Sequence, residues 1–125
     1  MGQLRVEKVQ ELIKQEVSKM VLQELKDPRL SSGLITVTQV EATGDLRSAK
    51  IYVSLMGSEN QIKEAWAGLN SSLGFIRREI GKRIRLHFTP ELTFMVDKSL
   101  DYSAHIQELL LKIKQDEEAR NADNA

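Results

Sequence analysis

Residues 70–94 read NSSLGFIRREIGKRIRLHFTPELTF, where a glycine interrupts what otherwise scans as one long amphipathic helix and a burst of arginine and lysine follows it. The apolar positions on either side decide how the interruption is read. Ile62, Trp66, Leu69, Leu73, Ile76, Ile80 and Ile84 recur at steps of three or four, so the stripe crosses Gly74 without losing phase. Two unrelated helices joined by a loop rarely keep register in that way. The spacing predicts one helix bent at Gly74, where the missing side chain permits the kink at a cost of about 1 kcal/mol relative to alanine.

Working outward, Ser58 opens this helix with Gln61 completing a capping box, and Thr89-Pro90 stops it. Beyond the proline, LTFMV (92–96) alternates as a strand. Upstream, SAKIYVSLM (48–56) puts Ala49, Ile51, Val53 and Leu55 on one side and Lys50, Tyr52 and Ser54 on the other. LITVTQV (34–40) is rich in β-branched residues, and the intervening ATGDLR supplies turn chemistry, so the two strands form a hairpin with one wet face. From Leu4 to Leu25, the positions Val6, Val9, Ile13, Val17, Met20 and Val21 keep helical spacing until Asp27-Pro28 ends it. At the other end Ser99 caps a last helix carrying Tyr102, Ile106, Leu109, Leu110 and Ile113, after which the polar, acidic tail 115–125 is expected to fray. The order α-β-β-α-β-α predicts an α+β fold, with helices on one face of a three-stranded mixed sheet.

At 125 residues the chain is one domain long, and its apolar fraction of 41% and charged fraction of 29% are those of an ordinary globular protein. It has no cysteine, which excludes disulfides, thiolate metal clusters and thiol catalysis. MGQLRVEKVQELIK carries charges every few residues, unlike a secretory signal, and no apolar run reaches spanning length, so a cytoplasmic location away from membranes is expected.

Net charge hides a segregation. Between residues 71 and 90, Arg77, Arg78, Lys82, Arg83 and Arg85 stand against the single acid Glu79. Past the bend, Arg78, Lys82 and Arg85 follow each other at i, i+4 and i+7 roughly opposite the apolar stripe, spanning about 10 Å, within reach of two or three successive phosphates. Glu79 can pair with Arg83 and order part of the patch. A basic stripe alone is most simply a solvated face, and a helical glycine most simply a packing device. Together, a side-chain-free bend beside a face of one sign admits a nucleic-acid backbone.

The layout resembles a type-II KH domain, an RNA-binding α-β-β-α-α-β sandwich whose GXXG loop clamps the backbone between two helices. No GXXG occurs in this sequence. Instead GFIRREIGKRIRLHFTPELTF, with RVEKVQELIKQEVSKM, ELKDPRL and TVTQVEATGDLRSAKIYVSLMG before it, closely resembles the bacterial ribosome-binding factor A family over residues 4–113. In that family an Ala-x-Gly kink replaces the GXXG; Ser72-Leu73-Gly74 matches it, with serine in place of alanine. The resemblance implies a KH-like RNA-binding domain over residues 1–114 with a C-terminal helix. It implies a non-enzymatic assembly factor without cofactor or metal, binding the free 30S subunit and 16S rRNA and supporting late small-subunit maturation, 16S rRNA processing and cold adaptation. Assembly GTPases that help its release are implied as further partners, and a monomer is expected. The RNA-binding residues are expected to be Ser72, Leu73, Gly74, Arg77, Arg78, Lys82, Arg83 and Arg85. The alternative is a protein-interaction module docking an acidic partner through the basic helix.

Other chemistry has little to stand on. His87 and His105 lie far apart without carboxylates at ligand spacing, and Asp97 and Asp101 flank Ser99 as helix-start residues do. There is no P-loop and no nucleophile elbow. Trp66, Phe75 and Phe88 are assigned to the core, which favours recognition of backbone and shape over base stacking.

Overall fold

The computed structural model describes residues 3–30, 34–97, 108–109 and 111–112. Helix α1 (Gln3–Lys19) buries Val6, Val9, Ile13 and Val17 along one face, and its last turn widens into a π-turn over Met20–Glu24 that buries Met20. Leu25 leaves helical geometry, and Asp27-Pro28 starts a short 3-10 turn, Pro28–Leu30, closed by the Leu30 N–H donating to the Asp27 carbonyl at 3.0 Å.

Strands β1 (Leu34–Ala42) and β2 (Ser48–Met56) pair antiparallel, and β3 (Glu91–Val96) pairs parallel to β2, giving the order β1-β2-β3. The buried set is Ile35, Val37 and Val40 on β1, Ala49, Ile51, Val53 and Leu55 on β2, and Leu92, Phe94 and Val96 on β3. On β1 the step from Val37 to Val40 breaks the two-residue alternation. A β-bulge between Val37 and Gln39 absorbs the extra residue, so both ends of the strand still face the core.

Helix α2 (Glu59–Ser71) carries the expected capping box: the Gln61 N–H donates to Ser58 Oγ at 3.2 Å and the Ser58 N–H to Gln61 Oε1 at 2.8 Å. Helix α3 (Leu73–Arg83) follows after one residue. The helices α1, α2 and α3 pack against β1, β2 and β3 respectively, so one sheet face is covered and the α+β sandwich with a mixed sheet stands as read from the sequence. Glu108, Leu109, Leu111 and Lys112 are helical. The remainder of the expected last helix (Ser99, Tyr102, Ile106, Leu110, Ile113), together with Asp101, His105 and the tail 115–125, lies outside the described residues. No described helix is long and apolar enough to cross a membrane.

Candidate nucleic-acid interface

The bend falls at Ser72, two residues before the glycine. Three consecutive polar side chains at the end of α2 reach back one turn: Asn70 Nδ2 donates to the Trp66 carbonyl at 3.0 Å, Ser71 Oγ to Ala67 at 2.6 Å and Ser72 Oγ to Gly68 at 2.9 Å. A side chain that donates to the carbonyl four residues back competes with the backbone for it, and helices bend there. The Asn-Ser-Ser run makes the kink, and Gly74 sits just inside α3, which resumes with the Ile76 N–H on the Ser72 carbonyl at 2.9 Å. The apolar stripe survives the bend, as its continuous phase predicts. Ile62, Leu69, Ile76, Ile80 and Ile84 are buried, and Trp66 and Leu73 pack half-buried against them.

What Gly74 does is seen by comparison with the other helical glycines. A Cβ added to Gly68 would come within 2.9 Å of Leu30 Cδ2, and one on Gly81 within 2.7 Å of Thr89 Oγ1. At Gly74 the nearest atom outside the helix backbone is Arg78 Nη1 at 3.8 Å, and its φ is not positive. Gly68 and Gly81 are therefore needed for close packing inside this chain, whereas Gly74 is needed neither for packing nor for backbone conformation. Gly74→Ala should accordingly raise the midpoint of thermal unfolding, by up to about 1 kcal/mol in stability, while Gly81→Ala lowers it; paired melts check both.

The predicted basic residues divide. Arg78, one turn beyond Gly74, is exposed and makes no ion pair among the described residues. Lys82, a further turn on, is 74% exposed and pairs with Glu79 at 3.4 Å. Ser71, Gly74, Arg78 and Lys82 thus share the outer side of the junction. Arg77 instead donates from Nε and Nη2 to the Pro90 and Thr89 carbonyls, both at 3.2 Å, and pairs with Glu91 at 3.1 Å, fastening α3 to the entry of β3.

Arg83 turns inward to three carboxylates, Glu16 at 3.0 Å, Glu24 at 2.5 Å and Glu79 at 2.9 Å. Hydrogen bonds from Arg83 hold the Glu24 and Glu79 carboxyls below the usual carboxylate range, and those to Glu24 and then Glu16 raise the guanidinium further above its ordinary value. The expected Glu79–Arg83 pair is present, as one arm of a larger cluster.

Arg85 lies beyond α3. The helix ends at Arg83, with Ile84 extended (φ −119°, ψ 124°) though still buried, so Arg85 does not continue the Arg78–Lys82 row by helical spacing. The end is set by tertiary contact: Thr89 folds back onto Gly81, and Arg77 holds the carbonyls of Thr89 and Pro90.

Two side chains join this surface without having been expected there. Arg29 Nη2 donates to Ser71 Oγ at 2.8 Å, bringing a guanidinium from the ELKDPRL segment to the kink; Asp27 orients it at 2.6 Å, and those hydrogen bonds keep the Asp27 carboxyl below its ordinary range. In sequence, Asp27-Pro28 signalled only a helix stop. Phe75, assigned to the core, is 39% exposed because it falls outside the phase of Leu73 and Ile76; Phe88, also assigned there, is 50% exposed. An uncovered helix face with cations at both margins and one aromatic ring can accept a phosphodiester backbone.

Comparison with known proteins bears on what that surface meets. The family model described as ribosome-binding factor A matches residues 5–110. The chain is 45% identical over 115 residues to the ribosome-binding factor A of Caldanaerobacter subterraneus, covering 92% of this chain and 93% of that one. It is 51% identical over 106 residues to that of Acetivibrio thermocellus, covering 85% of each. The crystal structure of ribosome-binding factor A from Thermus thermophilus superposes with a TM-score of 0.62 at 24% identity, over 73% of this chain and 94% of that one, a likeness of fold.

Proposed function

The chain belongs to the ribosome-binding factor A family, and on that premise we propose that it is a non-enzymatic assembly factor that binds the free 30S subunit and its 16S rRNA through the α2–α3 junction. It acts in the cytoplasm as a monomer, supports late small-subunit maturation and 16S rRNA processing, including in the cold, and leaves the subunit with the help of assembly GTPases.

One observation carries the RNA contact: Gly74 is a helical glycine with room for a side chain, the nearest atom being Nη1 of Arg78 at 3.8 Å, and Arg78 makes no ion pair among the described residues. A glycine required neither by packing nor by φ destabilises its helix relative to alanine, and the close approach of a partner's backbone accounts for it. Ser72, Leu73, Gly74, Arg78 and Lys82 form the contact in this reading. Arg77 and Arg83 support it by holding α3 in place, and Arg85 contributes from the following segment.

Binding through phosphates displaces counterions, so affinity for purified free small subunits should fall linearly on a log–log plot against salt. Three neutralised phosphates correspond to a loss of roughly twentyfold to fortyfold for a fourfold rise in salt. Ribonuclease treatment of a lysate before size fractionation should also shift the protein to the position of the free chain. Retention in large complexes after digestion would support the acidic-protein partner instead.

A further inference from the structure

Beyond the C-terminal end of α3, away from the kink, a cleft of about 480 Å³ opens between the β1–β2 turn, the segment leading to β3 and the start of α1. We propose that it holds one unstacked nucleotide of a single-stranded RNA segment, the base against Phe88 and the phosphate met by Arg47 and Arg5. The proposal rests on the RNA-binding reading above and adds a second point of contact to it.

The argument begins at the turn. Leu46 adopts a positive φ of 58°, which side chains with a Cβ avoid, yet it is buried at 5% exposure, so core packing holds the turn in this shape. Asp45 Oδ1 accepts from Thr43 Oγ1 at 2.7 Å and from the Arg47 N–H at 3.1 Å, and these contacts keep its carboxyl below the ordinary range. Arg47 thereby leaves a braced turn, and its guanidinium lies 4.7 Å from the centre of the Phe88 ring. His87 meets the same ring edge-on, the centroids 4.5 Å apart at 83°. Phe88 is fixed by both neighbours and still half exposed.

The wall chemistry selects the ligand. An aromatic ring with a guanidinium on it, and Leu46, Leu86 and Arg5 in the same lining, give an apolar surface for a flat ring together with cations for a phosphate. Asp45 is the one acid in the lining; it is hydrogen-bonded to Thr43 and lies 3.9 Å from Nε of Arg47, and against Arg5 and Arg47 together it leaves the cleft with an excess of positive charge that favours an anion. Its size falls in the range of small-ligand sites, about 300–1,000 Å³. An acidic peptide would use the arginines and leave the ring idle; a nucleotide uses both. Helix α3, about 16 Å long at 1.5 Å per residue, separates the cleft from the kink, so one RNA segment can engage both and gain from effective concentration.

The test uses the full-length protein with a fluorescently labelled short oligouridine and, separately, purified free small subunits. Phe88→Ala should weaken oligouridine binding about fivefold to tenfold, the effect of losing one base–aromatic stack, with an unchanged melt; Phe88→Trp should restore it. If Phe88→Ala leaves the affinity unaltered while Arg78→Glu lowers it, the cleft proposal is overturned and the kink reading stands. If neither substitution matters, both are wrong. Weakened binding to subunits with unchanged oligouridine affinity would assign the cleft to a ribosomal protein and overturn the nucleotide.

Discussion

Exchanging Arg78 for glutamate together with Lys82 for alanine should reduce affinity for free small subunits by roughly a hundredfold or more. Each charged hydrogen bond to a phosphate contributes about 1.5–3 kcal/mol, and the new carboxylate adds repulsion. The salt dependence should flatten in parallel, the log–log slope becoming shallower by about 2. Stability should scarcely change. Arg78 makes no ion pair among the described residues, and Lys82 is a largely exposed partner whose pair with Glu79 contributes little in water. Binding measured at several salt concentrations beside a thermal melt separates the outcomes: a collapsed melt would make these residues structural, and retained binding would move the contact elsewhere. Gly74→Ala offers an independent check, since it should stabilise the fold while obstructing the approach of a backbone; gain in one with loss in the other is hard to explain by packing.

The parts of this fold legible in the sequence are those where burial is one-sided and local. Alternation along β2 and the unbroken stripe from Ile62 to Ile84 each specify a buried face without knowledge of what covers it. The capping box at Ser58 and Gln61 is legible for the same reason, both partners lying within one turn. Legibility fails where a distant contact decides. The stripe continues to Ile84, but α3 stops at Arg83 because Thr89 needs the space at Gly81. Charge patterning gives the sign of the arginines and not their partners. Glu79, four residues from Arg83, is visible as a helical pair, whereas Glu16 and Glu24 lie 67 and 59 residues away. Arg29 reaches Ser71 across 42 residues, so a cation at the kink was hidden inside what read as a helix stop.

Arg83→Met should lower the unfolding temperature more than any other single exchange of a basic residue between positions 77 and 85, and it should do so in a pH-dependent way. In the intact chain Arg83 holds Glu24 and Glu79 below their ordinary values, so the stability they contribute is fully present above about pH 4.5 and fades as acid protonates them through those lowered values. Without the guanidinium, Glu16, Glu24 and Glu79 converge with the exposed Lys82 beside Glu79 and Lys19 near Glu24, and their mutual repulsion is greatest when all are ionised. Acid then relieves the variant while it weakens the wild type. The gap between the two melting temperatures should therefore be widest near neutrality and close as the pH falls through those lowered values. Methionine keeps the length of the apolar stem, so packing along α3 changes little and the charge is what is tested. Below its melting temperature the variant should bind small subunits nearly as well as the wild type, because the lost cation faces α1 and the π-turn rather than the open side of α3. An unchanged melt with lost binding would reverse that assignment and return Arg83 to the RNA-contacting row that the charge pattern alone suggests.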